Sequence, residues 1–124
     1  MQKVLSEIDS PDLRVFVVWE PILVTDGEAT APPATALIPD SRAVHFWAPE
    51  LDLARAFGER IGLAGEPAWD AYLLYDRTAR WRSVAPPAPA AFQHQLWRLP
   101  DETRLDEAAL SARLRELLVR PAAG

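Results

Sequence analysis

Apolar residues fall along the chain in short continuous runs and in helical stripes, and these two patterns predict its elements. Leu13 to Trp19 (Leu-Arg-Val-Phe-Val-Val-Trp) is β-branched and aromatic with almost no polar interruption, which predicts a buried central parallel strand. Pro21 ends it, because proline has no N–H to give to a sheet ladder. Ala43 to Trp47 is a second, shorter strand. From Glu50 to Ile61, the residues Leu53, Ala54, Phe57, Gly58 and Ile61 recur on one face and turn Glu59 and Arg60 outward, as in an amphipathic helix. Gly62 and Gly65 bracket its C-cap. Ala71 to Tyr75 and Ala79 to Val84 read as two strands joined by the tight turn Asp76-Arg77-Thr78, an antiparallel hairpin. Ala91 to Leu99 suits either a short helix or an added strand. Leu110, Leu114, Leu117 and Leu118 mark a terminal helix, capped by Asp106 or Thr103 and stopped by Pro121.

The remaining stretches set the organisation. Residues 1–12 read as a leader closed by Ser10-Pro11-Asp12. Between Val24 and Asp40, Asp26-Gly27 marks a turn and Pro32-Pro33 opens a short helix. Pro86-Pro87-Ala88-Pro89 is a polyproline-like spacer, too short to separate domains, so residues 1–124 are expected to form one domain. The N-terminus lacks the apolar core of a secretory signal, and no segment approaches the roughly 20 apolar residues of a membrane helix. A cytoplasmic location with no membrane partner is expected.

Charge and cysteine content narrow the chemistry. Eighteen acidic against thirteen basic residues leave a net charge of −5, which argues against a nucleic-acid partner. The chain contains no cysteine. Dithiol exchange, thiol peroxidase chemistry, thiolate metal sites and disulfides are thereby excluded for it, since each needs the sulfur itself.

Three stretches carry a family resemblance. Arg14 to Trp19 resembles the central strand that delivers the thioredoxin active-site loop. Gly62-Leu-Ala-Gly-Glu-Pro67 is similar to the approach to that fold's cis-proline, and Tyr72 to Trp81 looks like the strand, turn and strand that follow. The resemblance to the thioredoxin superfamily implies an α/β three-layer sandwich, with a central mixed four-stranded sheet and helices on both faces. In that sheet Leu13 to Trp19 would lie between Ala43 to Trp47, parallel, and Ala71 to Tyr75, antiparallel. The Cys-x-x-Cys motif is missing, so the chain would be a redox-inactive member.

On that scaffold the strand ends converge, and the expected ligand surface is built by Trp19, Glu20, Pro21, Trp47, Pro67 and Trp69. The indoles would supply apolar area and Glu20 one polar handle. The leading expectation is a binding or interaction module for a protein or small molecule, without a cofactor. One alternative is a non-thiol enzyme using a loop carboxylate, Glu20 or Asp26, or His45. Another is a structural subunit that forms a homodimer through its tryptophans. His45 and His94, the only imidazoles, lack metal-ligand spacing and read as hydrogen-bonded structural histidines. Ser41, Thr25 and Thr35 lack a nucleophile-elbow context, and no phosphate loop occurs. Arg77, Arg80 and Arg82 read as a solvated strand face.

Overall fold

The computed structural model describes residues 1–20, 38–83 and 85–119. These divide between two compact units, Met1–Leu51 and Asp52–Gly124.

The first unit opens with a helix. This is α1 (Gln2–Glu7), which buries Val4 and Leu5. A helix leaves its last carbonyls short of partners, and here one arginine bonds a carbonyl of the last turn and two of the residues that follow it. Arg42 donates from one terminal nitrogen to Leu5 O at 2.7 Å, and from the other to Ile8 O and to Ser10 O at 3.0 Å. Its Nε and a terminal nitrogen also grip both oxygens of Asp40, at 2.9 and 2.8 Å. The guanidinium holds the Asp40 carboxyl down at about 2. Arg42 stands just before strand β2 (Ala43–Trp47), so the same side chain ties α1 to the start of that strand.

Strand β1 (Val15–Trp19) pairs with β2 in parallel, in register from Val15 opposite Ala43 to Trp19 opposite Trp47. Ala48 N–H extends the ladder onto Trp19 O at 2.8 Å. One half of the expected pairing is therefore present. The expected central position is not: Phe16 is 66% exposed, and it approaches Phe46 with ring centroids 6.2 Å apart. Side chains alternate between the two faces of the pair, and Phe16, Val44 and Phe46 are exposed; among the described residues β1 pairs with β2 alone.

The second unit opens with helix α2 (Asp52–Ile61), whose buried Ala54, Gly58 and Ile61 lie on the face that the sequence pattern indicates. It ends in a Schellman-type turn, with Gly62 at φ 90° and Leu63 N–H reaching back to Gly58 O at 2.9 Å. Strand β3 (Ala71–Leu74) pairs antiparallel with β4 (Ala91–His94), and a turn of 3₁₀ helix (Asp101–Thr103) leads to helix α3 (Glu107–Val119). Asp106 caps α3, accepting Ala109 N–H at 3.0 Å, and Leu110 and Leu117 are buried. Ile61, Leu63, Ala68, Leu96 and Leu99 form a core cluster against which Phe57, Ala71, Leu73 and Phe92 pack.

Two corrections follow. The four-stranded mixed sheet of a thioredoxin-like sandwich is not formed: the described strands make two separate two-stranded sheets, one parallel and one antiparallel. Nor, among the described residues, does the expected hairpin of Ala71–Tyr75 with Ala79–Val84 form; Val84 itself lies outside them. The turn itself closes, with Asp76 Oδ1 accepting Thr78 N–H at 2.8 Å. Beyond it, Arg80 folds back onto Arg77 O and Ala79 O, and Trp81 packs edge-on against Phe57 at 5.5 Å. The ladder goes instead to Ala91–His94, a pairing that buries Leu74 and His94.

Candidate functional site

The site is assembled on two backbone segments of the second unit. The first runs from the end of α2 through Leu63 to Asp70. Glu66 N–H bonds to Leu63 O at 3.0 Å, and Ala68 N–H to Ala54 O at 2.8 Å, which pins the segment across the helix. Gly58 makes this approach possible. A Cβ there would sit 2.2 Å from the backbone oxygen of Glu66. The second segment leaves β4 at His94, and Gln95 N–H bonds to Asp70 O at 3.0 Å to join the two.

His94 is fully buried and organises the second segment. Its Nδ1 accepts Leu96 N–H at 3.0 Å, so its proton sits on Nε2. That nitrogen faces Pro100 O and Thr103 Oγ1, each at 2.9 Å. With every ring nitrogen engaged, His94 shapes the turn that presents Trp97 and Arg98 and is not free to bind a metal.

Leu63, Pro67 and Leu96 floor a cleft of about 160 Å³, walled by Trp69 and Trp97, with Glu66 and Arg98 at its rim. Trp97 is 78% exposed and Trp69 43%. The Arg98 guanidinium lies 5.0 Å from the centre of the Trp97 ring and 3.1 Å from Glu66 Oε1. An exposed cation–π contact is worth about 0.5–1 kcal/mol and an exposed ion pair no more than about 1 kcal/mol. Arg98 is thus held loosely enough for a ligand to displace it. Neither the Trp69 nor the Trp97 indole N–H meets an acceptor among the described residues; Trp19 is the tryptophan whose indole does.

The predicted site residues divide between the units. Pro67 and Trp69 line this cleft, and the bond preceding Pro67 is trans, unlike the cis-proline of the resemblance. Trp19 and Trp47 are register partners in the first unit, with Glu20 following Trp19. Pro21 lies outside the described residues, as do Asp26, Thr25 and Thr35. Glu20 is half-buried, and burial pushes its carboxyl up to about 7. His45 is held between Trp19 Nε1 and Ile38 O, each at 3.0 Å. Among the described residues no group of His, Asp and Glu is arranged to hold a metal, and no helix is long and apolar enough to cross a membrane.

The sequence alone does not point to Trp97 and Arg98. Their segment was ambiguous between helix and strand, so the periodicity gave no orientation for Trp97. The adjacent Trp-Arg pair, polar on one side and aromatic on the other, was the available signal. No family model, characterised protein or solved structure matches the chain, and the site is read from its geometry alone.

Proposed function

We propose that the chain is a binding module whose partner docks in the cleft between Trp69 and Trp97. One observation carries this reading: two exposed indoles, Trp69 and Trp97, line one cleft together with the buried Leu63 and Leu96. A contiguous exposed apolar patch marks interaction sites, and indoles pair a broad apolar face with one directional donor. The net charge of −5 disfavours nucleic acid as that partner. A protein or small molecule in the cytoplasm is the partner we favour.

The test is a fragment screen read on the indole N–H signals of ¹⁵N-labelled protein. Fragments are expected to shift Trp69 and Trp97 together, and Trp97→Ala is expected to remove the shift of Trp69. A screen in which no fragment moves either signal would contradict the proposal.

A second reading is favoured by Glu20, whose carboxyl at about 7 is in the range useful for general acid–base work. Turnover of any substrate that depends on Glu20 and disappears in Glu20→Gln would move the assignment to an enzyme.

A further inference from the structure

We infer that the Arg98 side chain is a strap across the mouth of the Trp69–Trp97 cleft, fastened at Glu66, and that the cleft opens to a ligand when this ion pair breaks. The inference rests on the cleft being a binding site, and it names how entry to that site is controlled.

Strand pairing places the strap. Ala71 and His94 stand opposite one another in the antiparallel pair of β3 and β4, and Gln95 N–H carries the pairing one step further onto Asp70 O at 3.0 Å. Both lining segments leave this backbone joint in the same direction, one running back from Asp70 to Glu66 and the other forward from Gln95 to Arg98. There they meet a second time, with Arg98 3.1 Å from Glu66 Oε1. Pro67, Trp69, Leu96 and Trp97, which line the cleft, lie between the two joints in sequence. One end of the cleft is thus closed by a backbone bond and the other by a pair of side chains.

Arg98 also covers what a ligand would use. Its guanidinium lies 5.0 Å from the centre of the Trp97 ring, so it takes up a face of one wall while holding the opposite segment. A molecule stacking on that face has to displace it. Leu63 and Leu96 line the cleft and yet are only 6% and 4% exposed, so its aliphatic part is covered while the strap is fastened.

The two joints differ in kind. The side chains of Arg98 and Glu66 are 50% and 57% exposed, and an exposed ion pair is weak and screened by salt. The Gln95–Asp70 bond and the bond from Ala68 N–H to Ala54 O join uncharged backbone groups, which that screening does not reach. Breaking the ion pair frees one end of the cleft and leaves the other fixed.

The experiment measures access without any ligand. A small neutral nitroxide is added to the full chain carrying ¹³C-labelled leucine methyls, and the broadening of Leu63 and Leu96 is read against that of buried Leu110. Raising salt from about 0.01 M to about 1 M shortens the screening length from about 30 Å to about 3 Å. This should raise the broadening at Leu63 and Leu96 about two- to fivefold, the range an exposed ion pair supports. Arg98→Ala and Glu66→Gln should show the raised value already at low salt and lose the salt response, whereas Arg98→Lys should retain it. Leu110 should not move. Equal broadening at both salt concentrations and in every variant would overturn the strap. So would fragments that shift the Trp69 indole signal equally in the parent and in Arg98→Ala, a result that leaves the binding cleft standing. Fragments that shift it in neither chain would overturn the binding reading and, with it, the control of entry.

Discussion

The indole N–H of Trp19 donates to Nδ1 of His45 across 3.0 Å, joining the two strands of the parallel pair by a side-chain bond as well as by their ladder. The ring planes lie within 9° of each other. Since Nδ1 accepts, the imidazole proton sits on Nε2 and is donated to Ile38 O at 3.0 Å. This arrangement commits His45 to structure and leaves it neither a free base nor a free metal ligand.

Trp19→Phe leaves His45 Nδ1 without its donor, at an expected cost of about 1 kcal/mol in a half-buried position. Long-range ¹⁵N–¹H spectra should show one His45 tautomer, protonated at Nε2, in the parent and a mixture in the variant. An unchanged spectrum together with an unchanged urea midpoint would show that the bond contributes nothing.

Glu20 sets a pH dependence of known sign. Its folded-state value of about 7 exceeds the ordinary 4.5, so between these values the folded chain binds more protons than the unfolded one. Stability therefore falls as pH rises through that window. Urea midpoints should be lower at pH 8 than at pH 5, and Glu20→Gln should reduce this difference by raising the value at pH 8. Equal pH profiles for parent and variant would show that Glu20 ionises as an exposed acid does.

Two glycines separate packing from backbone strain. Gly58→Ala drives a methyl into the Glu66 carbonyl and should cost about 1–3 kcal/mol, with the cleft segment displaced. At Gly62 no atom is near an added Cβ, but φ is 90°, so Gly62→Ala should cost about 1–2 kcal/mol from strain alone. Only the first variant should change the amide shifts of Trp69.

His94→Ala should orphan the Leu96 N–H, at roughly 1–3 kcal/mol for a group left unsatisfied, whereas the Pro100 carbonyl keeps the Thr103 N–H and hydroxyl. The substitution should also alter the Trp97 indole signal, because the turn carrying Trp97 is built on the imidazole ring. Leu110→Ala, at a buried position of α3, should cost roughly 2–5 kcal/mol without affecting that signal. The two variants together distinguish local support of the cleft from general stability.

The elements with strong local codes were legible in the chain. The apolar face of α2, the glycine that ends it, the Asp106 cap of α3 and the range of β2 all follow from spacing and capping chemistry that act over a few residues. The absence of cysteine settled the exclusion of thiol chemistry for this chain without any structure. Two of the seven residues that line the cleft, Pro67 and Trp69, belong to the ligand surface expected from the sequence.

Tertiary structure alone decided the pairings and the exposures. Ala71–Leu74 had two apolar partners available in sequence, and the choice of Ala91–His94 over Ala79–Val84 depends on burying Leu74 and His94 together, an outcome of distant contacts. Phe16 reads as a core residue in a continuous apolar run, yet in the folded chain it is 66% exposed, because what packs on a face of a sheet is not encoded in the strand itself. Arg42 looks like any arginine before a strand, and only the folded chain brings the carbonyls of Leu5, Ile8 and Ser10 within its reach. The same holds for Trp69 and Trp97, which become two walls of one cleft because a backbone bond from Gln95 to Asp70 joins their segments. Residue type and spacing encode what a segment prefers locally, whereas which segments meet depends on the free energy of the whole fold.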